Sequence, residues 1–108
     1  MTEALIQRAI IDRCRWANVL CVAVPNEGKR SPVTAQRMKA RGMRPGFPDL
    51  ICMQRGLVAF LEVKAAKGRV SDNQVEMHEE IERHGLPVAV VRSQDEAAEF
   101  LRAQGFDI

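Results

Sequence analysis

Aromatic residues are scarce in this chain, with four Phe, one Trp and no Tyr among 108 residues. That argues against recognition of nucleic-acid bases by stacking, which needs aromatic platforms. Long apolar runs are absent, and the start, Met-Thr-Glu-Ala-Leu, has no basic region followed by an apolar one. Neither a transmembrane helix nor a signal peptide is indicated, and a cytoplasmic protein is expected. Cysteine is limited to Cys14, Cys21 and Cys52, odd in number, widely spaced and set in apolar surroundings without a Cys-x-x-Cys pair. The spacing predicts buried free thiols in a reducing compartment, and neither a structural zinc site nor a disulfide framework. His78 and His84 fall on different faces of a predicted helix, so they are not read as a metal pair.

What is present fits one soluble domain spanning residues 1–108, long enough for a single core and too short for two. The stretch from Gly46 to Lys64 organises it. Two apolar runs, Leu50 to Met53 and Leu57 to Val63, flank Gln54-Arg55-Gly56 and carry the β-branched and aromatic residues of strands. A β-hairpin turning at Arg55-Gly56 places Asp49 directly opposite Glu62, and Lys64 shares their face because side chains alternate along a strand. Two carboxylates and an ammonium thus meet at the mouth of an apolar hairpin.

Two carboxylates at that distance raise each other's pKa and cost stability unless a cation joins them. Oxygen ligands alone suit a hard ion such as Mg²⁺, which takes one or two carboxylates and leaves positions for water and phosphate. In a purely structural reading, Asp49 is a turn residue after Pro48, and Glu62 and Lys64 form a solvated strand end. Spacing alone leaves both readings open.

Net charge is only +2, but its distribution is uneven. Between Gly28 and Phe47 stand six basic residues, Lys29, Arg30, Arg37, Lys39, Arg41 and Arg44, and no acidic one. Beside a cluster that could hold a cation, this is the footprint of a phosphate-backbone contact.

Taken in order, Thr2 caps a first helix with an apolar stripe at Leu5, Ile6, Ala9 and Ile10, and Trp16 is expected to close that end of the core. Glu3 lies in its first turn, where the helix dipole favours a carboxylate. Val19 to Val24 forms a strand that is apolar on both faces, which predicts an internal strand covered by helices. After Ser31-Pro32 a short helix fits Val33 to Arg41. Lys67 and Arg69 occupy the loop after the hairpin, and Ser71-Asp72-Asn73-Gln74 is a capping box opening a helix to about His84. Pro87 to Val91 gives a last strand, joined in parallel to the Glu62 strand or its neighbour, and a final helix carries Ala97, Phe100 and Leu101. The expected fold is α/β, a mixed four-stranded sheet flanked by helices in the order αβββαβα.

Pro48-Asp49, an intervening strand and Glu62-Val63-Lys64 resemble the PD-(D/E)XK nuclease motif. With Gly46 before it and Gly68-Arg69-x-Ser71-x-x-Gln74 after it, the segment resembles the virus-type replication-repair nuclease (VRR-NUC) branch of that superfamily. The resemblance implies a metal-dependent DNA endonuclease in which Asp49, Glu62 and the Val63 carbonyl hold Mg²⁺ or Mn²⁺. Lys64 would serve catalysis, Gln74 would sit beside it, and Glu3 would add to the metal site. It further implies that Asn26 helps position substrate, next to Lys29, Arg30, Arg37, Lys39, Arg41, Arg44, Lys67 and Arg69 as DNA contacts. Where the superfamily's recombination-type members carry a tyrosine after this glutamine, the chain has His78. Small stand-alone relatives act as homodimers on branched DNA such as Holliday junctions, in repair and in phage, which implies a bacterial or phage-infected host cytoplasm. Two rivals remain: a nuclease on linear, nicked or flap DNA, and a non-catalytic DNA-binding module of the same fold.

Overall fold

The computed structural model describes residues 1–25 and 31–108. Its elements run α1 (Glu3–Trp16), β1 (Leu20–Ala23), α2 (Pro32–Ala40), β2 (Leu50–Gln54), β3 (Leu57–Val63), α3 (Asp72–Arg83), β4 (Val88–Val91) and α4 (Gln94–Ala103). The expected order is present, with the short helix after Ser31-Pro32 inserted as α2. Ser31 caps it, its Oγ accepting from Thr34 N–H at 3.1 Å, and Pro32 opens it with a preset φ.

The four strands form one sheet in the order β1-β2-β3-β4. β1 and β3 run antiparallel to β2, while β4 is parallel to β3. The β2–β3 hairpin turns on Arg55 and Gly56, both at positive φ (48° and 83°), the geometry that matches the right-handed twist of paired strands. Leu50 pairs with Leu61 and Gln54 with Leu57, the register expected from the turn.

Strand alternation sorts the side chains into two layers. On one face Leu50, Cys52, Ala59, Leu61 and Val63 pack with Ile6, Ile10 and Cys14 of α1 and Ala97 and Leu101 of α4. On the other, Phe60 packs with Met77 and Ile81 of α3, and Phe47 meets Phe60 edge to face. The sheet is thus covered by α1 and α4 on one side and by α3 on the other.

Two expectations fail. β1 is not internal: it forms a sheet edge, and Leu20 and Val22 are 60% and 42% exposed. Their register opposite Met53 and Ile51 turns them to the α3 side, but α3 lies over the β3–β4 half and leaves them uncovered. Apolarity on both faces reads the same for a buried strand and for an uncovered edge. Trp16 does not close the core either; as the last residue of α1 it is 91% exposed.

Gly46 fixes how the segment leading to Asp49 meets α3. Its φ is +82°, and a Cβ there would lie 2.4 Å from the Asn73 carbonyl oxygen and 2.7 Å from Gln74 N, both backbone atoms. Only glycine allows this approach. Gly46→Ala is therefore expected to lower unfolding free energy by about 2–3 kcal/mol in urea melts, whereas Gly42→Ala, at positive φ but with nothing within 4 Å, should cost only the backbone part, about 1 kcal/mol.

Candidate active site

The hairpin register brings Asp49 and Glu62 together. They stand opposite one another one step beyond the Leu50–Leu61 pair, and Asp49 is anchored from both sides. Its carbonyl accepts from Val24 N–H at 2.8 Å, and its side-chain Oδ2 accepts from Val63 N–H at 2.7 Å. The N–H and C=O of one strand residue point to the same side, so the Val63 carbonyl faces the β2 side with Asp49. Lys64 N–H turns the other way, to the Val91 carbonyl at 3.0 Å.

Glu62 is only 1% exposed, and its Oε1 lies 3.2 Å from His78 Nε2 on α3. That contact gives the buried Glu62 carboxylate a hydrogen-bond partner on α3. His78 stands out in the sequence only as the residue where recombination-type relatives carry a tyrosine and as no metal partner of His84, and its contact with Glu62 is not foreseen there. It is four positions after Gln74, hence on the same face of α3, beside the sheet-facing Met77 and Ile81.

Burial is the main reason that the Asp49 carboxyl is pushed up to about 7, from 3.8. The hydrogen bond with Glu62 and the Glu62 charge add to it, while Val63 N–H and the Lys64 charge oppose it. The donor set fits a hard divalent cation: two adjoining carboxylates, one of them pushed up in pKa chiefly by burial and then by its like-charged neighbour, with a backbone carbonyl beside them. Asp49 borders a cleft of about 430 Å³ lined by Met38 and Lys39 of α2, by Arg44 and by Gln74 at the start of α3. A larger hollow, about 730 Å³, lies at the turn end of the hairpin around Arg55 and Gly56 and holds none of these groups.

A sequence model of the VRR-NUC domain matches residues 1–95. The chain belongs to the VRR-NUC family. Two solved structures are similar over nearly its whole length. One, described as a VRR_NUC domain, has a TM-score of 0.69 at 24% identity and covers 94% of this chain and 97% of its own. The other, a VRR_NUC domain protein, has a TM-score of 0.69 at 21% identity and covers 96% of this chain and 88% of its own. At these identities the likeness shows a shared fold. No curated protein matches the chain. The family makes it a nuclease domain of the PD-(D/E)XK type, and among the described residues no helix is long and apolar enough to cross a membrane.

In this VRR-NUC domain the other site candidates are distributed unevenly. Gln74 borders the cleft, but its side-chain oxygen is engaged in the capping box, accepting from Ser71 N–H at 2.9 Å. Arg37, Lys39 and Arg41 are exposed on α2 and its cap, and α2 buries no side chain. Arg44 forms a forked ion pair with Glu80 of α3 at 2.6 and 3.3 Å, tying the loop down. Lys67 and Arg69 are exposed on the loop after β3. The start of that loop is clamped by Arg92, whose Nη1 donates to the carbonyls of Ala65 at 2.6 Å and Gly68 at 2.9 Å. Glu3 is exposed and, among the described residues, is not grouped with Asp49 and Glu62 within a common metal-ligand distance. Asn26, Lys29 and Arg30 lie outside the described residues.

The raised Asp49 sets a sign for stability against pH. In the folded, metal-free state the group binds a proton up to about pH 7, whereas an ordinary aspartate releases it near 3.8. The folded state therefore holds more protons in that window, and stability falls as pH rises through it. Asp49→Asn removes the slope, and in chelator at pH 8 it should be more stable than wild type by about 1–2 kcal/mol, the full linkage being reduced by solvent screening at a half-buried group. Urea melts from pH 4 to 8 test this, and an equal slope in both proteins would rule it out.

Proposed function

We propose that this chain is a metal-dependent endodeoxyribonuclease that cuts branched DNA and works as a homodimer. The observation that carries the reading is the opposed Asp49–Glu62 pair, with Lys64 two residues on, beside a cleft flanked by the exposed cations of α2. Asp49, Glu62 and the Val63 carbonyl would hold Mg²⁺ or Mn²⁺. When bound, such an ion supplies charge neutralisation at the phosphate and acidifies a water.

The chain's own groups do the rest. Lys64 orients the attacking water, helps to take its proton and offsets the negative charge developing on phosphorus oxygens. His78 holds Glu62 in one orientation, as outer partners of metal ligands do. Gln74, with its oxygen committed to Ser71, has its amide nitrogen left to donate to substrate at the cleft. Arg37, Lys39 and Arg41, joined in sequence by Lys29 and Arg30, neutralise backbone phosphates, Asn26 helps to position substrate, and Lys67 and Arg69 on the loop after β3 add further phosphate contacts. Glu3 would complete the metal site only if DNA or metal drew the α1 terminus toward it.

One active site per chain suffices for one strand, so symmetric cutting of a junction needs two copies. Four-way junctions and matched linear duplexes, incubated with Mg²⁺, Mn²⁺ or chelator, test substrate and metal together. Junction cutting that is lost in chelator is expected, as is a fall of at least about 100-fold in Asp49→Asn, Glu62→Gln and Lys64→Ala with the circular dichroism spectrum retained. Wild-type rates in any one variant would remove that residue from the mechanism. Equal cutting of linear DNA would replace junctions by ordinary duplex as substrate. Sedimentation should show a dimer, at least on junction DNA; monomer throughout would sink the paired arrangement.

A further inference from the structure

Three side chains far apart in sequence and unused by the chemistry above meet on the opposite face of the sheet. Cys14 comes from α1, Cys21 from β1 and Cys52 from β2, and their sulfurs all lie within 4.8 Å of one another. Cys21 and Cys52 are directly paired across the strands with sulfurs 3.9 Å apart, and none of the three is in a disulfide. Among the described residues this is the only such grouping of potential metal ligands.

We propose that Cys14, Cys21 and Cys52 form a three-thiolate site for a single thiophilic d¹⁰ cation. The spacing suits it. Metal–sulfur bonds of about 2.3 Å place the sulfurs around a three-coordinate ion about 4.0 Å apart, so the thiols need only small rotamer shifts to close on it. The chemistry suits it as well, since an all-sulfur donor set selects soft and borderline ions and rejects Mg²⁺ and Ca²⁺. Cys14 and Cys52 are fully buried, and Cys21 on the sheet edge is half-buried, which gives the ion a way in. The thiols ligate as thiolates, their protons passing to solvent. A bound ion would bolt the edge strand β1 to α1 and β2.

The site is distinct from the catalytic one in position and in taste. Cys52 is three residues from Asp49, an odd step, so the two side chains point to opposite faces of the sheet. Hard ions would go to the oxygen donors on the α3 side and soft ions to sulfur on the α1 side.

The test uses the full chain, reduced and freed of metal, titrated anaerobically with Cd²⁺ in the presence of millimolar Mg²⁺. Sulfur-to-cadmium charge-transfer absorption should saturate at one equivalent and be accompanied by a rise in Tm. Zn²⁺ and Cu(I) added in competition then rank the natural candidates. Cys21→Ser, at the half-buried position and so the variant most tolerant of change, should weaken Cd²⁺ binding by more than the 10- to 100-fold typical of losing an outer-shell partner. Asp49→Asn should leave the absorption unchanged. Should Cys21→Ser fail to fold, protection of all three wild-type thiols from alkylation by one equivalent of Cd²⁺ gives the same answer. The proposal is overturned if no absorption develops by one equivalent, if Cys21→Ser binds as wild type does, or if Cys21 and Cys52 prove to be joined as a disulfide in the native protein.

Discussion

The pairing register of β2 against β3 is the constraint on which the rest depends. A two-residue turn at Arg55-Gly56 with both φ values positive leaves one way of aligning the strands. A slip of one residue would turn either Leu50 and Cys52 or Leu61 and Val63 out of the α1 and α4 core and bring the other face of that strand, with Asp49 or Glu62, toward it. Hydrophobic burial on two faces thus holds in place a carboxylate pair that adds no apolar surface to the core. The core fixes the chemistry, and the tension between the paired carboxylates is tolerated because both layers would be lost with any other alignment.

Most of this arrangement was legible in the sequence because it is local. The hairpin register follows from turn chemistry, the capping box at Ser71 from residue identities three apart, and a parallel pairing of the last strand with the Glu62 strand or its neighbour from the handedness of a crossover helix. What could not be read depends on which surfaces meet at a distance. The same apolar string at Leu20 to Ala23 serves a covered strand or an open edge, and only the placement of α3 over the other half of the sheet decides between them. The convergence of Cys14, Cys21 and Cys52 is of the same kind. Three thiols scattered along a chain carry no sign of proximity until a helix is laid across two strands.

The site shows a similar division. Asp49, Glu62 and Lys64 were visible as a spacing, whereas the contact from His78 to Glu62 joins a helix to a strand and has no signature beyond its four-residue step from Gln74. Arg92 is a related case. It looks like an ordinary cation at a strand end, yet it gathers the Ala65 and Gly68 carbonyls of the turn after Lys64 and so ties that turn to the end of β4.

The absence of any buried side chain from α2 separates two kinds of inheritance in this fold. Substitutions in the sheet or in α1 are filtered by packing before they can alter chemistry. Those in α2 escape that filter, because no core residue relies on them. A lineage can therefore rewrite this exposed helix, residue by residue, while the sheet is carried forward intact.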